Sequence, residues 1–190
     1  MPPADTDVSG AATRRPLEDA FFVRFPGLYG VALRSIIRLR PGSPLRRRLL
    51  LRALRRNYAA SDRRDVEYVL LGIDPDCEMR HIGAPVGIAE RYPGHEGVRN
   101  FLSNVFDTWV SSDWRLIRVH DGGDRVVVES EMRGRGRGSG VAVSLTYGAV
   151  FRPGASGRMV RLEYYWEGGW PAALAAAGLS NPSPSGAPSS

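Results

Sequence analysis

The chain contains no lysine; all 26 of its basic residues are arginine. With its many Ala, Gly and Pro residues, this points to a GC-rich bacterial genome rather than to selection for guanidinium chemistry. Cysteine is nearly absent too. The single Cys77 excludes an internal disulfide framework and fits a reducing cytoplasm, which is the expected location. No apolar run approaches the roughly 18 residues that a membrane-crossing helix needs. The opening MPPADTDVSG is acidic and has no basic n-region, so no secretory signal is expected. Phosphate-binding loops and dinucleotide fingerprints are also missing: the glycine-rich run neither leads from a strand into a helix nor ends in Lys-Ser/Thr. No cofactor is expected. Cys77 and His81 share a strand side, but zinc needs three or four ligands and no second ligand pair stands elsewhere. No metal is expected, and Cys77 reads as a buried, inert thiol.

What is present is enough for one domain with tails: 190 residues, 43% of them apolar. The net charge of +6 is unevenly spread. Between Ala20 and Ser61 lie ten arginines and no acid, so the remainder carries sixteen arginines against twenty acids. The basic excess therefore belongs to one N-terminal arm, and the expectation is that this arm packs on the acidic surface of its own domain. Peripheral contact with an anionic membrane through residues 34–56 is the less favoured reading. Specific nucleic-acid binding is not expected.

Residues 1–16 and 180–190 read as disordered tails, and 17–44 as a basic helical extension ahead of a domain over 45–179. Leu28, Val31, Ala32, Ile36 and Leu39 space an amphipathic helix between Pro26 and Leu39. Ser43 is the expected N-cap of the next helix, with Pro44 at its first position. Along that helix Leu50, Leu51, Leu54 and Tyr58 form the apolar stripe, opposite Arg48, Arg52 and Arg55. Asp62 is the expected cap of RRDVEYVLLGI. Cys77 to Ile82 reads as a short strand. EGVRNFLSNVFDTWV reads as a helix with Val98, Leu102, Val105, Phe106 and Trp109 on one side. Beyond it the period becomes two. Two strands joined at Asp121 to Asp124 are followed by VAVSLTYGAVF, RMVRLEYYWE and a short alanine-rich helix.

MRGRGRGSG, Met132 to Gly140, has the composition of an RNA-binding tail. Its flanks, VVVES and VAVSLTYGAVF, are both β-prone, and alternation would send Arg133, Arg135 and Arg137 to one side. It is expected to be the extended end of two strands.

Helices, then a strand, a helix and several antiparallel strands make an α+β order. The landmarks DPDCE, YPGHEGVRNFL, HDGGDRVVV, RGRGRGSGV, GRMVRLEYY and ALAAAGL together resemble the SnoaL-like branch of the nuclear transport factor 2-like superfamily. The resemblance spans about Leu49 to Leu179. It implies a curved antiparallel sheet wrapped by N-terminal helices into a cone, a cystatin-like roll around an apolar pocket. It also implies a homodimer formed through the outer sheet face.

The family's enzymes place charged groups where this chain does not. The ketosteroid isomerase base on the first strand falls at Arg80, which cannot accept a proton from carbon, while Tyr58 resembles the helical Tyr. The cyclase His and Asp positions resemble Tyr147 and Ala149. The epoxide hydrolase Asp–Arg–Asp set resembles Ser130, Met132 and Tyr164. Parity sends Val126, Val128, Ser130 and Met132 inward, with Tyr147, Leu162, Tyr164 and Trp166. Glu129, Glu131, Arg133, Arg161 and Glu163 go outward as cross-strand ion pairs. The expected pocket is Arg80, Trp109, Ser130, Met132, Tyr147, Leu162 and Tyr164. Glu78, sharing Arg80's parity, would supply its counter-ion unless a ligand anion does. Glu78 and Tyr58 are the only candidates for proton transfer. Two readings follow. One is a pocket protein for a small apolar molecule with a possible anionic end. The other is a non-catalytic dimerising module whose basic arm meets an anionic partner.

Overall fold

The computed structural model describes residues 14–179. Most of the expected tails, residues 1–13 and 180–190, lie outside the described residues. The last of the N-terminal stretch does not: Arg15 is fixed by a two-toothed contact with Asp65, both N···O distances being 2.6 Å.

Four helices come first: α1 (Leu17–Arg24), α2 (Pro26–Arg38), α3 (Pro44–Asp62) and α4 (Val66–Leu71). Pro26 and Pro44 open their helices, where a missing N–H costs nothing. Ser43 caps α3 by accepting from the Arg46 N–H. The cap of α4 is Asp65, which accepts from the Tyr68 N–H at 3.2 Å. The expected cap, Asp62, bonds elsewhere. It accepts from the Trp114 N–H at 2.9 Å and ties the end of α3 to the sheet.

The sheet consists of β1 (Ile73–Ile82), β2 (Arg91–Pro93), β3 (Trp109–Asp121), β4 (Val126–Gly136), β5 (Ala142–Pro153) and β6 (Met159–Tyr165), with α5 (Gly94–Thr108) between β2 and β3. Its order is β2-β1-β6-β5-β4-β3. Four neighbouring pairs are antiparallel, but β1 and β6 run parallel, so the sheet is mixed rather than wholly antiparallel. A parallel pair needs a long crossover, and everything from β2 to β5 supplies it. Bulges interrupt β1, β3 and the end of β5, where an extra residue bends a strand. The sheet does not close on itself. The MRGRGRGSG run does what its flanks demanded: Met132 to Gly136 completes β4, and Arg137 to Val141 turns into β5.

One main core joins α2 to α5 with the inner sheet face, burying Tyr29, Leu33, Leu50, Tyr68, Val98, Leu102, Val128 and Leu162 among others. On α2 the buried face is Tyr29 and Leu33, while Leu28 and Val31 of the expected stripe are exposed. This helix is apolar on two sides, so its period could not say which side docks. The close approach of the β5–β6 turn decides it. A Cβ on Gly157, which has φ of +84°, would lie 2.4 Å from the backbone N of Arg34.

Ion pairs dock α1 on the helices that follow it. The two acids of α1 receive arginines from the domain: Asp19 pairs with Arg56 and with Arg63 at 2.7 Å, and Glu18 with Arg52 and Arg56. The arginines of α2 find no acid among the described residues. Arg46, farther along the basic stretch, does meet one. It is 1% exposed, lies 2.9 Å from the Asp121 carboxylate, and donates to the carbonyls of Ile37, Leu39 and Gly123. It thereby locks α2, α3 and the β3–β4 turn together.

The outer sheet face carries ion pairs, with partners other than those expected: Arg118–Glu129 and Arg161–Glu78 cross between strands, while Arg133–Glu131 lies along β4. Its centre, however, is covered by α6 (Gly169–Ala176), which buries Trp170, Ala173 and Leu174 against Val127 and Val150. Gly148 permits this: a Cβ there would sit 2.3 Å from the Gly169 carbonyl oxygen.

Candidate ligand cavity

Alternation in the strands and the inner faces of the helices leave a cavity of about 230 Å³ between sheet and helices. Met132 of β4, Tyr147 of β5, and Leu162 and Tyr164 of β6 form its sheet wall, with Trp109 at the head of β3. Tyr58 on α3 and Phe101 on α5 face them. Tyr29, Leu33, Ile36 and Ile37 bring α2, part of the expected extension, into the same wall.

Three of the residues singled out in the sequence stand elsewhere. Ser130 is fully buried just behind the wall, its Oγ 2.7 Å from the Tyr58 hydroxyl. Arg80 and Glu78 are a correction. The buried residues of β1 are Cys77, Met79 and His81, so the intervening Glu78 and Arg80 point to the outer face. There Glu78 meets Arg91 at 2.6 Å and Arg161 at 2.9 Å, and its carboxyl lies below the usual range. The opposing costs and gains at that exposed carboxyl are its partial desolvation and the stronger pull of the two guanidinium groups. Arg80 stands opposite Arg91 and Glu163 in the register. Placing Arg80 by resemblance had shifted the strand by one residue, and a one-residue slip exchanges the faces.

Among the described residues, no Asp, Glu, Arg or His lines the cavity. Its polar groups are hydroxyls and amides. Burial pushes the phenols of Tyr58, Tyr147 and Tyr164 upward, further from ionisation than an ordinary tyrosine. For Tyr58 the Ser130 hydroxyl opposes that shift only in part. These groups are therefore hydrogen-bond donors and acceptors at neutral pH, not bases.

His81 is the feature that reasoning from sequence missed. It is 2% exposed and stacked on Tyr164, with ring centroids 4.8 Å apart and planes 7° from parallel. Phe101, Tyr92 and Trp166 complete an aromatic cage around it. Trp166 Nε1–H donates to His81 Nδ1 at 3.0 Å. An indole can only donate, so Nδ1 must carry the lone pair and the neutral ring must carry its proton on Nε2. Desolvation pushes the imidazole down to about 4 and keeps it neutral. Its Nε2 is buried without a partner among the described residues. The alternation Cys77, Met79, His81 was the available signal. Cys77 itself is buried, and desolvation raises its thiol to about 11, so it stays protonated.

A family model described as a SnoaL-like domain matches residues 54–162. Among solved structures, TerC co-crystallised with polyporic acid is 25% identical; the match covers 68% of this chain and 95% of that one at a TM-score of 0.53. An NTF2-like protein of unknown function from Burkholderia pseudomallei K96243 is 26% identical over 62% of this chain and 89% of its own, with a TM-score of 0.55. An NTF2-like protein from Burkholderia thailandensis E264 is 26% identical over 68% and 96%, with a TM-score of 0.54. No curated protein matches the chain.

Proposed function

Because the chain belongs to the SnoaL-like domain family, we propose that it binds a small, largely apolar molecule of one or two rings in the inner cavity, held by shape and hydroxyl hydrogen bonds. The observation that carries this reading is the cavity wall: about 230 Å³ of aromatic and aliphatic surface with tyrosine hydroxyls and no ionised group. That volume exceeds the roughly 150 Å³ that accepts benzene and falls short of the roughly 300–1,000 Å³ of sites for drug-sized ligands. TerC, whose fold is similar, was co-crystallised with polyporic acid, which supports a small organic molecule as the kind of ligand.

The ligand's charge is expected to be neutral where it enters. A buried anion without a cation would cost several kcal/mol, on the order of 5, and Arg80 is on the far side of the sheet. The Tyr58 and Tyr147 hydroxyls would orient a carbonyl or phenol oxygen. Proton transfer at neutral pH has no base to carry it in this wall, so the reading is of binding without acid–base catalysis.

The test is a panel of one- and two-ring phenols, ketones and hydrocarbons, followed by thermal shift and by tryptophan emission, since Trp109, Trp114 and Trp166 line the cavity. Stabilising ligands with sub-millimolar affinity, lost when Leu54→Trp fills the space, are the expected result. A panel in which no member moves either signal removes the reading.

A further inference from the structure

The second face of the N-terminal helices has no role in the cavity. Leu17, Phe21, Phe25, Leu28 and Val31 are each between 47% and 91% exposed, an unusual density of bare apolar side chains in fifteen residues. They form one strip. Leu17 and Phe21 lie one turn apart on α1, the Phe21 and Phe25 rings are 5.0 Å apart at the elbow, and Leu28 and Val31 continue along α2. Arg24 lies over the Phe25 ring, and further exposed arginines follow in the same part of the chain. Arg24, Arg34, Arg38, Arg40, Arg47 and Arg48 are all exposed, and no acid occurs between Arg24 and Arg48 in the sequence. None of the six meets a carboxylate among the described residues, whereas Arg52, Arg56 and Arg63 nearby are paired. Neither helix is long and apolar enough to cross a membrane, and they meet at a bend of 103°.

We propose that the α1–α2 elbow is a docking surface for an anionic lipid bilayer, with the apolar strip entering the interface and the arginines reaching phosphate. Charge complementarity selects the occupant. An apolar strip alone would suit any greasy partner, and arginines alone would suit any polyanion. Unpaired arginines in the same helical stretch as exposed Phe and Leu suit a surface that is oily below and negative above. A nucleic-acid duplex would use the arginines and leave the phenylalanines in water. The inner face of α2 walls the cavity, so the docked protein would hold its cavity one helix thickness, about 10 Å, from the lipid. The proposal does not depend on what the cavity binds.

The experiment is sedimentation of the full-length protein with vesicles of phosphatidylcholine alone and of phosphatidylcholine mixed with phosphatidylglycerol, at physiological ionic strength. Preference for the anionic vesicles by about tenfold or more is expected. Phe21→Asp and Leu28→Asp should each weaken partition by roughly tenfold, and R34Q with R38Q should remove about fivefold per arginine from the anionic preference. All four positions are exposed, so melting curves should match the parent. Equal partition onto both vesicle types overturns the proposal, as does binding indifferent to Phe21→Asp and Leu28→Asp. So does a duplex DNA that displaces the vesicles and ignores those two variants. A protein dimer that Leu28→Asp dissociates, with no vesicle binding, gives the strip to a second copy and also overturns it.

Discussion

The indole N–H of Trp166 is 3.0 Å from Nδ1 of His81, and this single bond fixes which nitrogen of a buried imidazole carries the proton. It joins β1 to the residue just past the end of β6, deep in an aromatic cage whose burial keeps the ring neutral.

That neutrality makes stability depend on pH in one direction. The folded ring has a value near 4 against an ordinary 6.5, so the unfolded chain takes up a proton that the folded chain refuses. The contribution is complete above pH 6.5, declines as pH falls from 6.5 to 4, and is fully lost below 4. The loss amounts to roughly 3 kcal/mol. Urea unfolding of the parent and of His81→Phe at a series of pH values isolates it, because carboxylate effects are common to both. The parent's advantage should shrink on acidification; a gap that stays constant would mean that the folded ring takes up its proton at the same pH as the unfolded chain.

Tyr58→Phe removes a 2.7 Å hydroxyl contact with Ser130. We expect about 1 kcal/mol of lost stability. Ligands bearing a carbonyl or phenol should bind about tenfold more weakly, and hydrocarbon ligands should be unaffected. Paired titrations with a naphthol and with naphthalene check this.

Arg80→Ala should change neither cavity binding nor stability by more than about 0.5 kcal/mol, because the side chain is on the outer face. A tenfold loss of affinity for any cavity ligand would return Arg80 to the pocket.

Arg46→Met leaves the Asp121 carboxylate buried without its cation, beside carbonyls that have lost their donor. Removing one partner of such a pair costs about 3–5 kcal/mol. Equilibrium unfolding should show that loss, and R46M with D121N together should recover part of it.

Gly148→Ala pushes a methyl group into the backbone of Gly169. A loss of about 1–3 kcal/mol is expected as α6 shifts off the sheet. The near-ultraviolet signal of Trp170 should weaken while the far-ultraviolet spectrum keeps its shape.

The strands were legible where alternation ran long. On β4 to β6, the inward set of Val126, Val128, Met132, Tyr147, Leu162 and Tyr164 and the outward Glu131, Arg133 and Arg161 stand as the pattern required. On β1 the same rule pointed to Cys77, Met79 and His81, but the resemblance to catalytic relatives drew Arg80 inward. On α2 the period itself was ambiguous, because Leu28 and Val31 alternate with Tyr29 and Leu33 around the helix. The covering of the outer sheet face by α6 had no local signature beyond a run of alanines.

Sequence alone determined the element types, the sheet's inner and outer residues over its long strands, and a family whose members share this fold. It could do so because period two and period 3.6 are written into consecutive residues and need no partner to be read. Only the tertiary structure decided which face of α2 is buried, that β1 lies parallel to β6, and that His81 sits neutral inside a cage built from β1, β2, α5 and β6. Those outcomes depend on which surfaces meet across the chain, at Gly157, at Trp166 and at Tyr164, and no stretch of neighbouring residues contains them.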